Sequence, residues 1–300
     1  MPKIIRPLLA GVAFVAVGAA GYYGFMWMNT TKPTQANLAY SAGSDRNVLD
    51  VYLPEGAANP VPVVIWVHGG AFMMGDKSAP QSLDALLGAG YAVVAINYRL
   101  TGTDIWPAQR DDVTAAVAYV QDNAVALGID PDKVALFGAS AGGFLVSTTG
   151  IALSADPARA VEAVVDWFGP VQFTTMDADI EATGVERSTG RNDAADSPES
   201  ALIGRVVADN PAVANAVSPL ADLADLPAGT TLPPFLIMHG AIDTFVGAGQ
   251  SERLRDALLA NPGNGGVTFE VLPEGGHGSG SFQEAGATET VISFLNVHLK

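Results

Sequence analysis

Val134-Ala135-Leu136-Phe137-Gly138-Ala139-Ser140-Ala141-Gly142-Gly143 is the stretch that decides the reading of this 300-residue chain. Its first four residues are apolar, as a short buried strand requires, and the next six are all small. Gly138 to Gly142 form a G-x-S-x-G pattern, which alone is too short to be decisive. Its context adds weight: a strand ends just before it, and a small-residue helical stretch follows. Small neighbours permit a sharp strand-to-helix turn that lifts Ser140 off a sheet and aims it at a helix N-terminus. The competing interpretation is a serine that merely caps a helix in a glycine turn.

Working outward, strand and helix patterns alternate. Residues 48–53 alternate apolar and polar up to Pro54, whereas 61–67 and 91–96 are almost continuously apolar, as strands buried on both faces should be. Residues 112–126 have helical spacing, with Val113, Ala116, Val117, Val120 and Ala124 on one face. Further strands are expected at 163–168, 235–238 and 267–272, with helices at about 251–260 and 288–299. This rhythm predicts an α/β fold: a mostly parallel sheet flanked by helices, with reactive groups at the carboxyl ends of its strands. Residues 171–232 break the rhythm. They are rich in Asp, Ala, Thr and Pro, and an excursion of that length inside a domain suggests a cap over a site.

Composition narrows the function. With 49% hydrophobic and 15% charged residues, the chain is neither disordered nor a small stapled scaffold. The 31 acidic against 15 basic residues give a net charge of −16, a surface that repels nucleic acid. With no cysteine, thiol nucleophiles, thiolate metal sites and disulfides are excluded together. Four histidines make a His-rich metal centre a poor expectation, and the chemistry proposed below requires neither metal nor cofactor.

The N-terminus carries Lys3 and Arg6 and then no charge until Lys32. Residues 7–28 are apolar and would span about 33 Å as a helix. Val17-Gly18-Ala19-Ala20 offers a cleavage region, while Tyr22, Tyr23, Phe25 and Trp27 extend the apolar run with interfacial aromatics. The expectation is a membrane anchor or signal peptide over 1–28, a polar linker over 29–37, and a single α/β domain over 38–300. An anchor is preferred, with the bulk of the chain extracytoplasmic. Oligomeric state is open.

A serine hydroxyl needs a general base. His68 lies in a glycine turn with another use, His239 ends a buried strand, and His298 lies in the last helix. His277, in the loop Glu274-Gly275-Gly276-His277-Gly278 after a strand, is the remaining candidate. The base must be oriented by a carboxylate. Asp243, just beyond the strand at 235–238, is the first choice; Glu252 and Asp256 compete from a helix. Charge developing on an ester carbonyl oxygen needs amides aimed at it in advance. His68-Gly69-Gly70-Ala71-Phe72 follows a buried strand with residues small enough for close backbone approach, which nominates the Gly70 and Ala71 amides together with Ala141. A plain β-turn is the alternative there.

These residues resemble a known group. His68-Gly69-Gly70-Ala71-Phe72 with Gly75-Asp76-Lys77 is similar to the oxyanion segment of hormone-sensitive-lipase-like carboxylesterases, within the α/β-hydrolase fold. Asn97-Tyr98-Arg99-Leu100, Pro107-Ala108-Gln109, Gly128-Ile129-Asp130-Pro131, Asp166-Trp167-Phe168-Gly169-Pro170, Ser197-Pro198-Glu199-Ser200 and Pro234 to Gly240 extend the likeness. Together they look most like the branch containing bifunctional feruloyl and acetylxylan esterases. The resemblance runs from about Val51 to His277 and implies a serine carboxylesterase acting on small esters. It departs from the pattern at Asp243-Thr244-Phe245-Val246-Gly247, where Asp-Pro-x-Val-Pro is usual, and at Gly240-Ala241-Ile242. The rival expectations are an amidase, arylformamidase or peptidase on the same triad, and a non-catalytic anchored binding protein.

Overall fold

The central sheet of the computed structural model is built around inner strands that are largely apolar on both sides, and this decides how the helices are distributed. The structure describes residues 31–56, 58 and 60–300. The strands are β1 (Gln35–Ala39), β2 (Val48–Tyr52), β3 (Val61–Val67), β4 (Ala92–Ile96), β5 (Ile129–Ala139), β6 (Ala163–Trp167), β7 (Phe235–Gly240) and β8 (Val267–Leu272). Their order is β1-β2-β4-β3-β5-β6-β7-β8; β1 and β2 are antiparallel to their neighbours, and β4 to β8 run parallel with β3.

Because side chains alternate across a strand, the inner strands feed two cores. Val63, Ile65, Val67, Val94, Leu136, Val164 and Ile237 pack on one face, with residues of α2 (Ala108–Asp122), α4 (Ala141–Leu153) and α9 (Gly249–Ala260). Val64, Trp66, Val93, Phe137, Val165, Leu236 and Met238 pack on the other, with α1 (Leu83–Gly88) and α10 (Ala285–Leu299). All five residues assigned to one face of the helix at 112–126 are buried, although that helix begins earlier, at Ala108, and breaks at Asn123 before the short α3 (Ala124–Leu127).

Two boundaries differ from expectation. The chain divides into units Met1–Lys32 and Pro33–Lys300, and β1 occupies residues assigned to the polar linker 29–37. No residue of β1 is buried, so it carries no apolar run by which sequence could mark it. The candidate anchor at 7–28 lies outside the described residues. Among the described residues no helix is long and apolar enough to cross a membrane.

Between β6 and β7 the excursion at 171–232 holds a 3-10 turn (Phe173–Thr175) and helices α5 (Met176–Thr183), α6 (Pro198–Ile203), α7 (Pro211–Ala216) and α8 (Pro219–Ala224). The last three start at proline, and the Ser197 and Ser218 hydroxyls accept the N–H of Ser200 (3.0 Å) and Ala221 (3.1 Å), so each short helix has a defined start. The excursion is tied down at several points. Asp179 accepts bonds from Arg253 Nη2 and Gln250 Nε2 at 2.6 Å each, Arg110 pairs with Asp222 at 2.8 Å, and the Ser188 hydroxyl donates to Thr244 at 2.7 Å.

Candidate active site

Ser140 sits between the end of β5 and the start of α4 with φ 57° and ψ −123°, a backbone conformation that a non-glycine residue adopts only under strain. The surrounding glycines explain how it is tolerated. A Cβ on Gly138 would lie 2.2 Å from the Gly142 carbonyl oxygen, and one on Gly142 would lie 2.1 Å from the Val67 carbonyl oxygen at the end of β3. The turn therefore closes on itself and against the neighbouring strand. The Ser140 N–H donates to the Trp167 carbonyl at 2.8 Å, which ties the elbow to β6.

His277, brought in by the loop after β8, places Nε2 2.8 Å from Ser140 Oγ and Nδ1 2.7 Å from Asp243 Oδ2. Asp243 is fully buried in the loop after β7, and its other oxygen, Oδ1, accepts the N–H groups of Phe245 (2.8 Å) and Val246 (2.9 Å). Burial pushes the Asp243 carboxyl up, but His277 and these hydrogen bonds outweigh it and hold the group below its ordinary range. The imidazole is gripped by aromatic rings, with Phe245 stacked at 5.2 Å and Phe168 at 4.6 Å between centroids. The competing carboxylates, Glu252 and Asp256, lie on α9, and among the described residues the hydrogen-bond and ion-pair partners of His277 are Ser140 and Asp243.

The oxyanion segment lies against the elbow: a Cβ on Gly69 would come within 2.8 Å of the Ala139 carbonyl oxygen and 3.3 Å of Ser140 Cβ. It turns sharply, with positive φ at Gly70, Ala71 and Phe72, and the Gly70 carbonyl accepts the N–H groups of Met73 and Met74, both at 3.0 Å. Among the described residues none accepts a hydrogen bond from the N–H groups of Gly70, Ala71 or Ala141. Ala141 opens α4, where such free donors are the rule.

The model of the BD-FAE family matches residues 49–258. This chain belongs to the BD-FAE family. Its α/β-hydrolase sheet and motifs are those of the carboxylesterase branch that the sequence resembles. Esterase LipQ of Mycobacterium tuberculosis is 28% identical over 281 residues, covering 87% of this chain and 62% of LipQ. The solved structure of a truncated carbohydrate esterase from gut microbiota is similar with a TM-score of 0.77 and 29% identity, covering 90% of this chain and 98% of that one. A bifunctional GH43-CE protein of Bacteroides eggerthii gives a TM-score of 0.74 at 29% identity, over 88% of this chain and 38% of that one. The chain spans about six tenths of the length of the curated relatives it matches first.

Two of the quoted motifs place buried ionisable groups beneath the triad. Asp166 is fully buried beneath the elbow; it accepts Ser147 Oγ at 2.7 Å and the Gly169 N–H at 2.9 Å, and burial pushes its carboxyl up to about 6. His239 lies under the acid loop, with Nδ1 2.6 Å from Ser251 Oγ and Nε2 2.8 Å from the Val246 carbonyl; burial lowers its basicity. Among the aromatics of the motifs around the triad, Phe72, Phe144 and Trp167 are buried core residues, Trp106 is half-buried against Phe144, and Phe245 stacks on His277. Phe168, Arg46 and Phe173 were not singled out by the sequence. Phe168 lies within a quoted motif, whereas Arg46 and Phe173 acquire their neighbours only through long-range folding. Among the described residues no group of three or more His, Asp or Glu side chains is arranged to hold a metal ion.

Proposed function

We propose that this protein is a serine carboxylesterase that hydrolyses small carboxylic esters through an acyl-enzyme. The observation that carries this reading is the unbroken hydrogen-bonded line from Ser140 Oγ to His277 to Asp243, at 2.8 and 2.7 Å. His277 Nε2 accepts the Ser140 proton as Oγ attacks the ester carbonyl, and Asp243 keeps the other ring proton on Nδ1 and steadies the imidazolium. The tetrahedral oxyanion forms beside the free N–H groups of Gly70, Ala71 and Ala141. The alcohol leaves with the proton from His277, and a water deprotonated by the same nitrogen releases the acid.

A short acyl group is favoured by the aromatic packing beside the elbow. Phe144 lies one helical turn beyond Ser140 and meets Phe72, Phe173 and Trp106 at 5.2 to 5.5 Å between centroids, and in this reading that wall of rings bounds a short acyl site. The carbohydrate esterases among its structural relatives make sugar acetates the first esters to try. Residues 7–28 serve in this reading as an anchor or leader that delivers the domain outside the cytoplasm.

Initial rates on p-nitrophenyl esters from acetate to laurate, beside matched amides, test the reading. The expected profile peaks at acetate or butyrate with amides far slower; faster cleavage of amides would favour the amidase alternative, and a peak at laurate would remove the short-acyl assignment.

A further inference from the structure

The oxyanion segment is braced by residues from two other parts of the chain, the β1–β2 hairpin and the turn after β4. Arg46 lies in the hairpin between β1 and β2. Its Nε donates to the Tyr98 carbonyl at 2.8 Å, and its Nη2 donates to the Gly75 carbonyl at 2.9 Å while lying 3.3 Å from His68 Nε2. The other ring nitrogen of His68, Nδ1, is 2.7 Å from the Gly69 carbonyl oxygen. The imidazole is buried, stacked on Tyr98 with centroids 4.3 Å apart, and the Tyr98 hydroxyl donates to the His68 carbonyl at 3.0 Å.

The chemistry of these groups leaves one consistent proton arrangement. A guanidinium has donors and no acceptor, so the ring nitrogen facing it must supply a lone pair. Neutral imidazole carries one N–H, which is then on Nδ1 and donates to the Gly69 carbonyl. Burial keeps the ring neutral by pushing its pKa down to about 4; the Gly69 hydrogen bond opposes that shift, and the Arg46 charge adds to it. The Gly69 carbonyl and the Gly70 N–H share one trans peptide plane and point opposite ways. Holding the carbonyl toward His68 therefore aims the Gly70 N–H away from the ring, on the side where no described residue accepts it.

We propose that Arg46 is a positioning residue: its guanidinium locks His68 in the Nδ1–H tautomer, and that tautomer fixes the Gly69–Gly70 peptide so that the Gly70 N–H is pre-aimed at the oxyanion. The inference rests on the ester hydrolysis argued above. In the other tautomer a lone pair on Nδ1 would face the Gly69 oxygen and an N–H would face the guanidinium, so the peptide plane would lose its restraint. Complete loss of one oxyanion donor lowers kcat by about 10²–10³; a loosened one should lower it at least about tenfold.

The test has two arms. In the first, nitrogen-15 histidine spectra of the full-length wild-type protein at pH 7 report the His68 tautomer, with its signals identified by their absence in His68→Asn. A protonated Nδ1 with unprotonated Nε2 is expected; a protonated Nε2 overturns the proposal. In the second, Arg46→Met is expected to lower kcat at least about tenfold with KM within about twofold, and to have no further effect in the His68→Asn background, where no tautomer exists to be selected. An equal loss in both backgrounds would mean that Arg46 only supports the fold, and would also overturn it. Ser140→Ala run alongside separates the two levels: hydrolysis that does not depend on Ser140 removes the functional reading, while the tautomer spectrum still decides the lock.

Discussion

Asp243→Asn changes one atom in the buried line of hydrogen bonds, and the surrounding contacts set the size of its effect. Oδ1 of Asp243 is held by two backbone donors, the N–H groups of Phe245 and Val246 at 2.8 and 2.9 Å. An asparagine oxygen will stay with those donors, so its NH2 must face His277 Nδ1. That nitrogen must then accept, which moves the imidazole proton to Nε2, where it faces Ser140 and leaves no lone pair to take the hydroxyl proton. The flipped amide would restore the productive tautomer but leave two buried N–H groups unpaired, at about 1–3 kcal/mol each. At the lower bound of about 2 kcal/mol in total, the productive form is populated roughly 3% of the time. Loss of the charge that stabilises the imidazolium adds to this, so kcat/KM should fall by about 10³–10⁴, the scale known for such a replacement in serine protease triads. The assay is initial rates on p-nitrophenyl acetate at pH 7, with thermal unfolding measured in parallel. A correctly folded Asp243→Asn within tenfold of wild type would refute the reasoning.

Two further perturbations follow from the packing. Gly142→Ala would place its Cβ 2.1 Å from the Val67 carbonyl oxygen, so the elbow must shift off β3; a loss of several kcal/mol is expected, on the order of 2–4, read from denaturant unfolding. Asp166 gives a pH signature. Its folded pKa, pushed up to about 6, lies above the ordinary aspartate value of 3.8, so the fold binds the extra proton and this contribution to stability is lost as pH rises from about 4 through about 6. Asp166→Asn can still accept the Gly169 N–H and donate to Ser147, and it should flatten that part of the stability profile while raising stability at pH 7; a variant less stable at pH 7 with an unchanged slope would contradict this assignment.

How much of this was legible in the sequence depended on whether the signal was local. The strands β3 and β4 are apolar on both faces, so the almost continuous runs at 61–67 and 91–96 announced a parallel sheet covered on both sides. The elbow was legible because tight turns select small residues within five positions. Ser140, Asp243 and His277 could be nominated by elimination, since only four histidines compete and each carboxylate belongs to a recognisable element. By contrast, β1 is an edge strand with no buried residue, and nothing in its composition separates it from a linker. The start of α2 was misplaced because Ala108 and Gln109, though buried, carry no apolar repeat that would mark the helix before residue 112. Arg46 sits in a polar hairpin that gives no hint of His68, and their pairing arises only when the β1–β2 hairpin folds onto β4, next to β3 in the sheet.

The central claim is that Ser140 is the nucleophile of an ester hydrolase, and phosphonylation tests it most directly. The full-length protein is treated with a fluorophosphonate while p-nitrophenyl acetate hydrolysis is followed, and the adduct is then located by peptide mass spectrometry. The account predicts one adduct per chain on the peptide carrying Ser140, activity lost in proportion to labelling, and neither activity nor adduct in Ser140→Ala. Hydrolysis that persists in Ser140→Ala, or an adduct that forms elsewhere while activity falls, would contradict it.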